Sequence, residues 1–370
     1  MSGFTKKSID RYIRTRIKYW IYDLGRNAHL YLKDDLELST NEKEQLTDLD
    51  KHKIKTFQIE VQNATIVTGG CFTSMLQGDE PNDIDIYFND KEVALKVCWF
   101  YIRKMLEVGE LKETTHVHKI GAEKTEDGVH VTNRSQGVAG AEIQSEEYRY
   151  FEQYPNDYVD HFFKEYRKKI RKAQLEDKKS YHVSFITSNA ITLNNGLQII
   201  TRFVGEQDVI HSYFDYIHAT NYWTWEQGVV YNDRALQATL EKRLYYFGSK
   251  FPVASIFRLK KFIERGWRIS AGEMVKILYD VSKLDLDNVE VLRDQSMGMD
   301  SAYFNQVIHM LRDREEGLDR TYLFQCLETV FNMADKQDDF LDSKSDEEDE
   351  DEDEDEDGPS TIKLNDGLPY

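Results

Sequence analysis

The chain has 370 residues, 40% hydrophobic and 12% aromatic, which fills the cores of about two domains and excludes a chain disordered throughout. Its three cysteines (Cys71, Cys98, Cys326) form no Cys-x-x-Cys pair, so a disulfide scaffold and a structural zinc cluster are excluded, and a reducing compartment is expected. The net charge of -19 sits mostly in twelve consecutive acids, 346–357; residues 1–345 carry 47 Lys+Arg against 54 Asp+Glu, a balance of -7 that leaves room for a local basic surface.

In chain order, Ile9, Ile13, Ile17, Trp20 and Ile21 recur at three- and four-residue spacing, which predicts an amphipathic helix over Lys6–Asp23. Arg11, Arg14, Arg16 and Lys18 give it a basic outer side. Phe57–Thr68 reads as an extended apolar segment ending at Gly69-Gly70, Cys71–Gln77 as a short helix, Asp83–Phe88 as a strand and Glu92–Leu106 as a helix. Residues 108–146 are polar and weakly periodic, which predicts a long loop or excursion. Tyr148–Gln174 has a helical pattern and ends in a basic run from Lys164 to Lys172. Two strands, His182–Leu193 and Leu197–Val204, flank Asn194-Asn195-Gly196, a tight-hairpin signal because Asn and Gly accept positive φ. Helices are then expected over Asp233–Phe247, Pro252–Arg265, Ser270–Val281, Tyr303–Arg312 and Thr321–Ala334, followed from about 338 by a disordered acidic tail. The organisation expected is an N-terminal helical extension (1–56), a core (57–232) with a helical insertion at about 90–180, a helical domain (233–337) and the tail (338–370). No apolar run reaches membrane-span length and no signal-peptide stretch follows the basic N-terminus, so a cytoplasmic protein without membrane partners is expected.

The chemistry concentrates in Thr65–Phe88, TIVTGGCFTSMLQGDEPNDIDIYF. The period of two puts Asp83 and Asp85 on one face of their strand and Ile84 and Ile86 on the other. Two carboxylates side by side repel unless a cation sits between them, which suits divalent metal, with magnesium expected. Gly69 and Gly70 give a backbone without Cβ atoms that a phosphate can approach, and the helix behind them, with Ser74, supplies donors. Together these features describe a site for a metal-bound nucleoside triphosphate. Two ions are expected there, one assisting an attacking hydroxyl and one the leaving pyrophosphate.

Gly69-Gly70, a gap of twelve residues, and Asp83-Ile84-Asp85-Ile86 resemble the signature of the polymerase-β-type nucleotidyltransferase superfamily. Asn82, Tyr87 and Phe88 around the acidic pair are similar to its phage-encoded members. The resemblance implies an α+β fold, a mixed sheet flanked by helices and followed by a mostly helical domain, in the host cytoplasm if phage-encoded. It also implies triphosphate binding by Gly69, Gly70 and Ser74, metal ligation by Asp83 and Asp85, and a third carboxylate from a later neighbouring strand, for which Asp215 is the candidate. Asp215–Ala219, Pro252, Arg258, Lys261, Phe262, Gly266, Trp267 and Ile269 are in addition similar to a stretch of tRNA nucleotidyltransferases and bacterial poly(A) polymerases. In that alignment Arg258 and Lys261 contact nucleotide, Asp215 contacts ribose instead of metal, and the third acid falls on Leu197–Arg202, which carries none. The base-selecting Glu-Asp-x-x-Arg motif of tRNA nucleotidyltransferases is not evident.

The expected reaction is transfer of a nucleoside monophosphate from a nucleoside triphosphate to an acceptor hydroxyl, foremost an RNA 3′ end. A protein or small-molecule acceptor, or a non-catalytic nucleotide-binding or virion component, are the alternatives. Plainer readings stand beside these. Arg258, Lys260 and Lys261 could be an ordinary exposed helix face, Tyr222, Trp223 and Trp225 core packing, Cys71 a small buried residue, and His116-x-His118 one strand face.

Overall fold

In the computed structural model the Asp-Ile-Asp-Ile strand lies near the middle of a mixed seven-stranded sheet. Residues 4–39, 46–108, 118–135, 181–186, 189–286, 288, 291 and 295 are described; all fall in the first of two compact units, 1–305, the second being 306–370. The strands are β1 (Thr65–Thr68), β2 (Ile84–Phe88), β5 (Val183–Ile186), β6 (Ala190–Leu193), β7 (Leu197–Val204), β8 (Tyr222–Thr224) and β9 (Gly228–Val230), in the order β5-β6-β7-β2-β1-β8-β9. Between them β3 (His118–Lys124) and β4 (Val129–Ser135) form a separate antiparallel hairpin. The β2–β7 pair is parallel and the other neighbours in the large sheet are antiparallel.

Alternation along β1 and β2 separates two faces. Val67, Ile84, Ile86 and Phe88 join the main core with Trp223 of β8. Against that face pack α1 (Lys6–Tyr31) through Ile9, Ile13, Ile17 and Trp20, α2 (Asp48–Ala64) through Phe57 and Val61, and α4 (Lys91–Val108) through Val97, Phe100, Tyr101 and Met105. Each such side chain taken fully out of water contributes roughly 1.5–3 kcal/mol before the entropy of ordering it. Ile66 and Tyr87 point the other way, into a smaller cluster with Ile210, Phe214 and Tyr222, and this is the face of Asp85.

Four expectations need correction, the first being that His182–Leu193 is not one strand: it folds back on itself as β5 and β6, which pair antiparallel from Val183↔Leu193 to Ile186↔Ile191. Phe57–Thr68 is not one extended segment: α2 runs through Ala64 and only Thr65–Thr68 is strand. Ile54, Phe57, Val61 and Ala64 are buried at helical spacing, whereas Ile59, which a strand pattern would bury with Phe57 and Val61, is 46% exposed. Within 108–146, residues 118–135 are the β3–β4 hairpin instead of loop, with Val129 and Val131 in the core. Asp233–Phe247 is not a single helix. α6 (Asp233–Glu241) stops at Lys242 in the left-handed conformation, and β10 (Arg243–Leu244) then pairs in parallel with β11 (Arg268–Ile269), sending Leu244 and Tyr246 into a second core with Tyr216 and Trp267.

The remaining helices follow expectation but for one. α3 (Gly70–Gln77) follows β1, α7 (Pro252–Glu264) starts on its proline, and α8 (Ala271–Ser282) is capped by Ser270 accepting from the Glu273 amide, while α5 (Gln207–Ser212), after β7, is a helix that the sequence pattern does not mark. The basic run 164–172, the helices expected over 148–174, 303–312 and 321–334, His116 and the acidic tail lie outside the described residues. No helix among the described residues is long and apolar enough to cross a membrane.

Candidate functional site: the glycine turn and the acidic strand

β1 ends and α3 begins across Gly69, whose φ of +97° is a conformation that side chains other than glycine rarely adopt. A Cβ on Gly69 would lie 2.7 Å from Oδ2 of Asp85, so the carboxylate rests against the bare backbone of the turn. The register explains the approach, since Thr68 pairs with Asp85 across the β1–β2 ladder. Gly70, by contrast, is exposed and has open space where a Cβ would go. Ser74 lies one turn into α3 and is half-buried.

Asp83 is exposed just before β2, and two strand positions later Asp85 is half-buried. The segment leading to Asp83 is pinned by the β6–β7 hairpin. Gly196, at φ +74°, brings its backbone so close to Asn82 that a Cβ would meet the Asn82 carbonyl at 2.8 Å, and the Ile84 amide donates to the Gly196 carbonyl at 2.8 Å. The parallel neighbour of Asp85 on β7 is Gln198, whose amide donates to the Thr192 hydroxyl.

Asp215 occupies a bend between α5 and a short 3-10 turn (Ile217–Thr220), outside the strands. Its nearly buried carboxylate accepts from Arg258 Nε of α7 at 2.7 Å. Lys261 follows Arg258 on α7 by three residues, on the same side of the helix. Among the described residues no group of three or more His, Cys, Asp or Glu is placed to hold a metal ion.

Tyr87 links the two halves of the site electrostatically. Burial first, and then the Asp85 carboxylate, push its hydroxyl well above the ordinary tyrosine range, while Arg258 acts in the opposite sense. Burial, with Asp85 adding to it, also pushes the Cys71 thiol up, so Cys71 stays protonated and is a packing residue of the core.

Two residues with no motif around them support the turn. The Thr68 hydroxyl donates to the Asn221 carbonyl at 2.9 Å and lies 2.8 Å from Nε2 of His211. Desolvation holds His211 down to about 4, against a smaller opposing effect of Asp208, so it is neutral at pH 7. The Gly69 amide donates to the Ala219 carbonyl. β1, α5 and the 3-10 turn are thereby tied together under the glycines. Nothing in the local sequence flags His211, because its partner is 143 residues away.

Among curated proteins none matches this chain. A solved structure similar to it is the Thermotoga maritima CCA-adding enzyme complexed with tRNA, at 12% identity and a TM-score of 0.34 over 71% of this chain and 51% of that one. The chain thus spans about half the length of that enzyme. The Gabija anti-defense 2 family model matches residues 38–242, more than half of the sequence, which takes in α2, the glycine turn, β2 and the strands on both sides of it. The chain belongs to the Gabija anti-defense 2 family.

Proposed function

We propose that this protein is a metal-dependent nucleotidyltransferase of the polymerase-β type, moving a nucleoside monophosphate from a nucleoside triphosphate to an acceptor hydroxyl with release of pyrophosphate. The observation that carries this reading is the seating of the Asp85 carboxylate against the Cα of Gly69. A triphosphate lying over Gly69-Gly70 meets both the amides at the start of α3 and the acidic strand. Magnesium is typically held by one or two carboxylates with phosphate oxygens completing its shell, and Asp83 and Asp85 are suited to that share. When bound, the metal supplies charge neutralisation on the phosphates and lowers the pKa of the attacking hydroxyl.

The chain's own residues do the rest. The Gly70 backbone admits the phosphates, Ser74 donates to them, and Arg258, held by Asp215, offers a fixed guanidinium to the same anion, with Lys261 beside it. Asp215 acts in this scheme as the positioning residue of Arg258, and Gln198 stands where a third strand carboxylate would be. The acceptor we assign is an RNA 3′ hydroxyl. A second reading keeps the chemistry and takes a protein hydroxyl as acceptor; the family's description, which names a defence opposed, favours a component of that defence.

Incubation of the purified protein with each α-labelled triphosphate, magnesium, host RNA and host protein tests this, alongside Asp83→Asn/Asp85→Asn. Label entering RNA with the wild type and not with the variant is the expected result, and label in protein transfers the assignment to the second acceptor. No label in either fraction, with triphosphate binding unaltered in the variant, overturns the reading.

A further inference from the structure

The outer face of α1 is left with charge of one sign, because the helix spends its acids inward. Asp10 and Asp23 are the only carboxylates in α1. Asp10 pairs with Arg14 and accepts the Trp223 indole N–H at 2.9 Å. Asp23, 2% exposed, accepts from Lys104 at 3.2 Å and from Arg26 and Asn27 at 3.0 Å. Lys7, Arg11 and Lys18 remain on the exposed arc, together with Tyr19 and Tyr22, which are 61% and 64% exposed. Lys7, Arg11, Lys18 and Tyr22 succeed one another at steps of four, seven and four residues, one side of the helix. At 1.5 Å per residue the stripe is about 22 Å long.

We propose that this face of α1 binds single-stranded RNA. Cations in a row neutralise successive phosphates, and the exposed flat rings of Tyr19 and Tyr22, at the Lys18 end of that row, accept unpaired bases. An acidic protein surface would satisfy the cations and give the rings nothing to stack on, and a duplex hides the faces of its bases. The choice of RNA over DNA rests on the acceptor proposed above. The inner side of α1 packs on the sheet face of Val67, Ile84 and Ile86, opposite the face of Asp85, so the stripe grips the body of the strand and takes no part in the chemistry.

The test is fluorescence anisotropy with the full-length Asp83→Asn/Asp85→Asn protein, without magnesium or nucleotide. The probes are a short mixed-sequence single-stranded RNA, the same sequence as DNA, and the RNA duplex. Single-stranded RNA is expected to bind tightest. Arg11→Gln/Lys18→Gln weakens it about tenfold at low salt and lowers the slope of log affinity against log salt by about 1.4, for two lost phosphate contacts. Tyr19→Ser/Tyr22→Ser weakens binding with the slope unchanged, and Tyr19→Phe/Tyr22→Phe, which keeps the rings, restores it. Undiminished binding by Arg11→Gln/Lys18→Gln with an unchanged unfolding midpoint, or equal affinity for DNA or duplex, overturns the proposal. Because binding is read in a chain stripped of its strand acids, a failed transferase assay with intact RNA binding removes only the transferase reading.

Discussion

Gly69 and Gly70 are neighbours under different constraints. Gly69 combines a positive φ with a carboxylate at contact distance, so Gly69→Ala costs about 1–3 kcal/mol and displaces Asp85. Gly70 opens α3 with free space around it, so Gly70→Ala is neutral or stabilising by up to about 1 kcal/mol. Denaturant unfolding of both variants measures these costs. Titration with a nucleoside triphosphate then separates fold from site: Gly70→Ala keeps its midpoint and loses triphosphate affinity if the bare backbone is what phosphate approaches. His218 makes a second residue-scale case. It is 2% exposed among Tyr216, Phe262 and Trp267, and burial depresses it to about 4, with Asp215 opposing. The unfolded chain takes up that proton from pH 6.5 downward while the folded chain does so only near 4, so stability rises with pH across this window. In urea titrations from pH 4 to 7, His218→Phe is expected to flatten the dependence by about 1.4 kcal/mol per pH unit in mid-window. An unchanged slope would show that His218 is not buried neutral.

At the scale of elements, the start of α2 decides what the Phe57–Val61 pattern becomes. The Thr47 hydroxyl accepts from the Asp50 amide, the Asp50 carboxylate accepts from the Thr47 amide, and Ser39 donates to the same carboxylate. The Thr47 hydroxyl also donates to that carboxylate at 2.6 Å, and this bond first, then the Ser39 amide, holds Asp50 down to about 2. Its contribution is present above the ordinary aspartate range and is lost as pH falls toward 2. Thr47→Ala should cost about 1 kcal/mol at neutral pH in thermal or urea unfolding. Alternation at Phe57, Ile59 and Val61 fits a strand locally, but the reciprocal cap and the helical spacing back to Ile54 prevail, and Ile59 is left in solvent. The end of α6 is the converse. Its helical pattern continues past Glu241, yet pairing of β10 with β11, 25 residues along the chain, takes Leu244 into the second core. β3 and β4 were illegible for a related reason, since the strands gain their burial from α4 and β7 and not from their own pattern.

At the scale of the whole molecule, β2 gives one face to the main core and sets Asp85 on the other, beside the smaller cluster around Tyr87. α1, α2 and α4 cover the apolar face, so Asp85 and Tyr87 stand on the side bounded by α5, the 3-10 turn and α7. The sequence by itself determined the pieces that depend on near neighbours: the amphipathic α1, the glycine turn, the alternating acids Asp83 and Asp85, the Asn-Asn-Gly hairpin and the proline start of α7. Periodicity, φ preference and capping are set within a few residues, so they are readable from a string. Only the tertiary structure decided that Asp85 rests on Gly69, that Gln198 pairs with it across the β2–β7 ladder, that Asp215 holds Arg258 and that His211 reaches Thr68. Each of these joins side chains from elements brought together by sheet register and packing. Register is a property of the paired strands and not of either one alone, which is why those partners had no sequence signature.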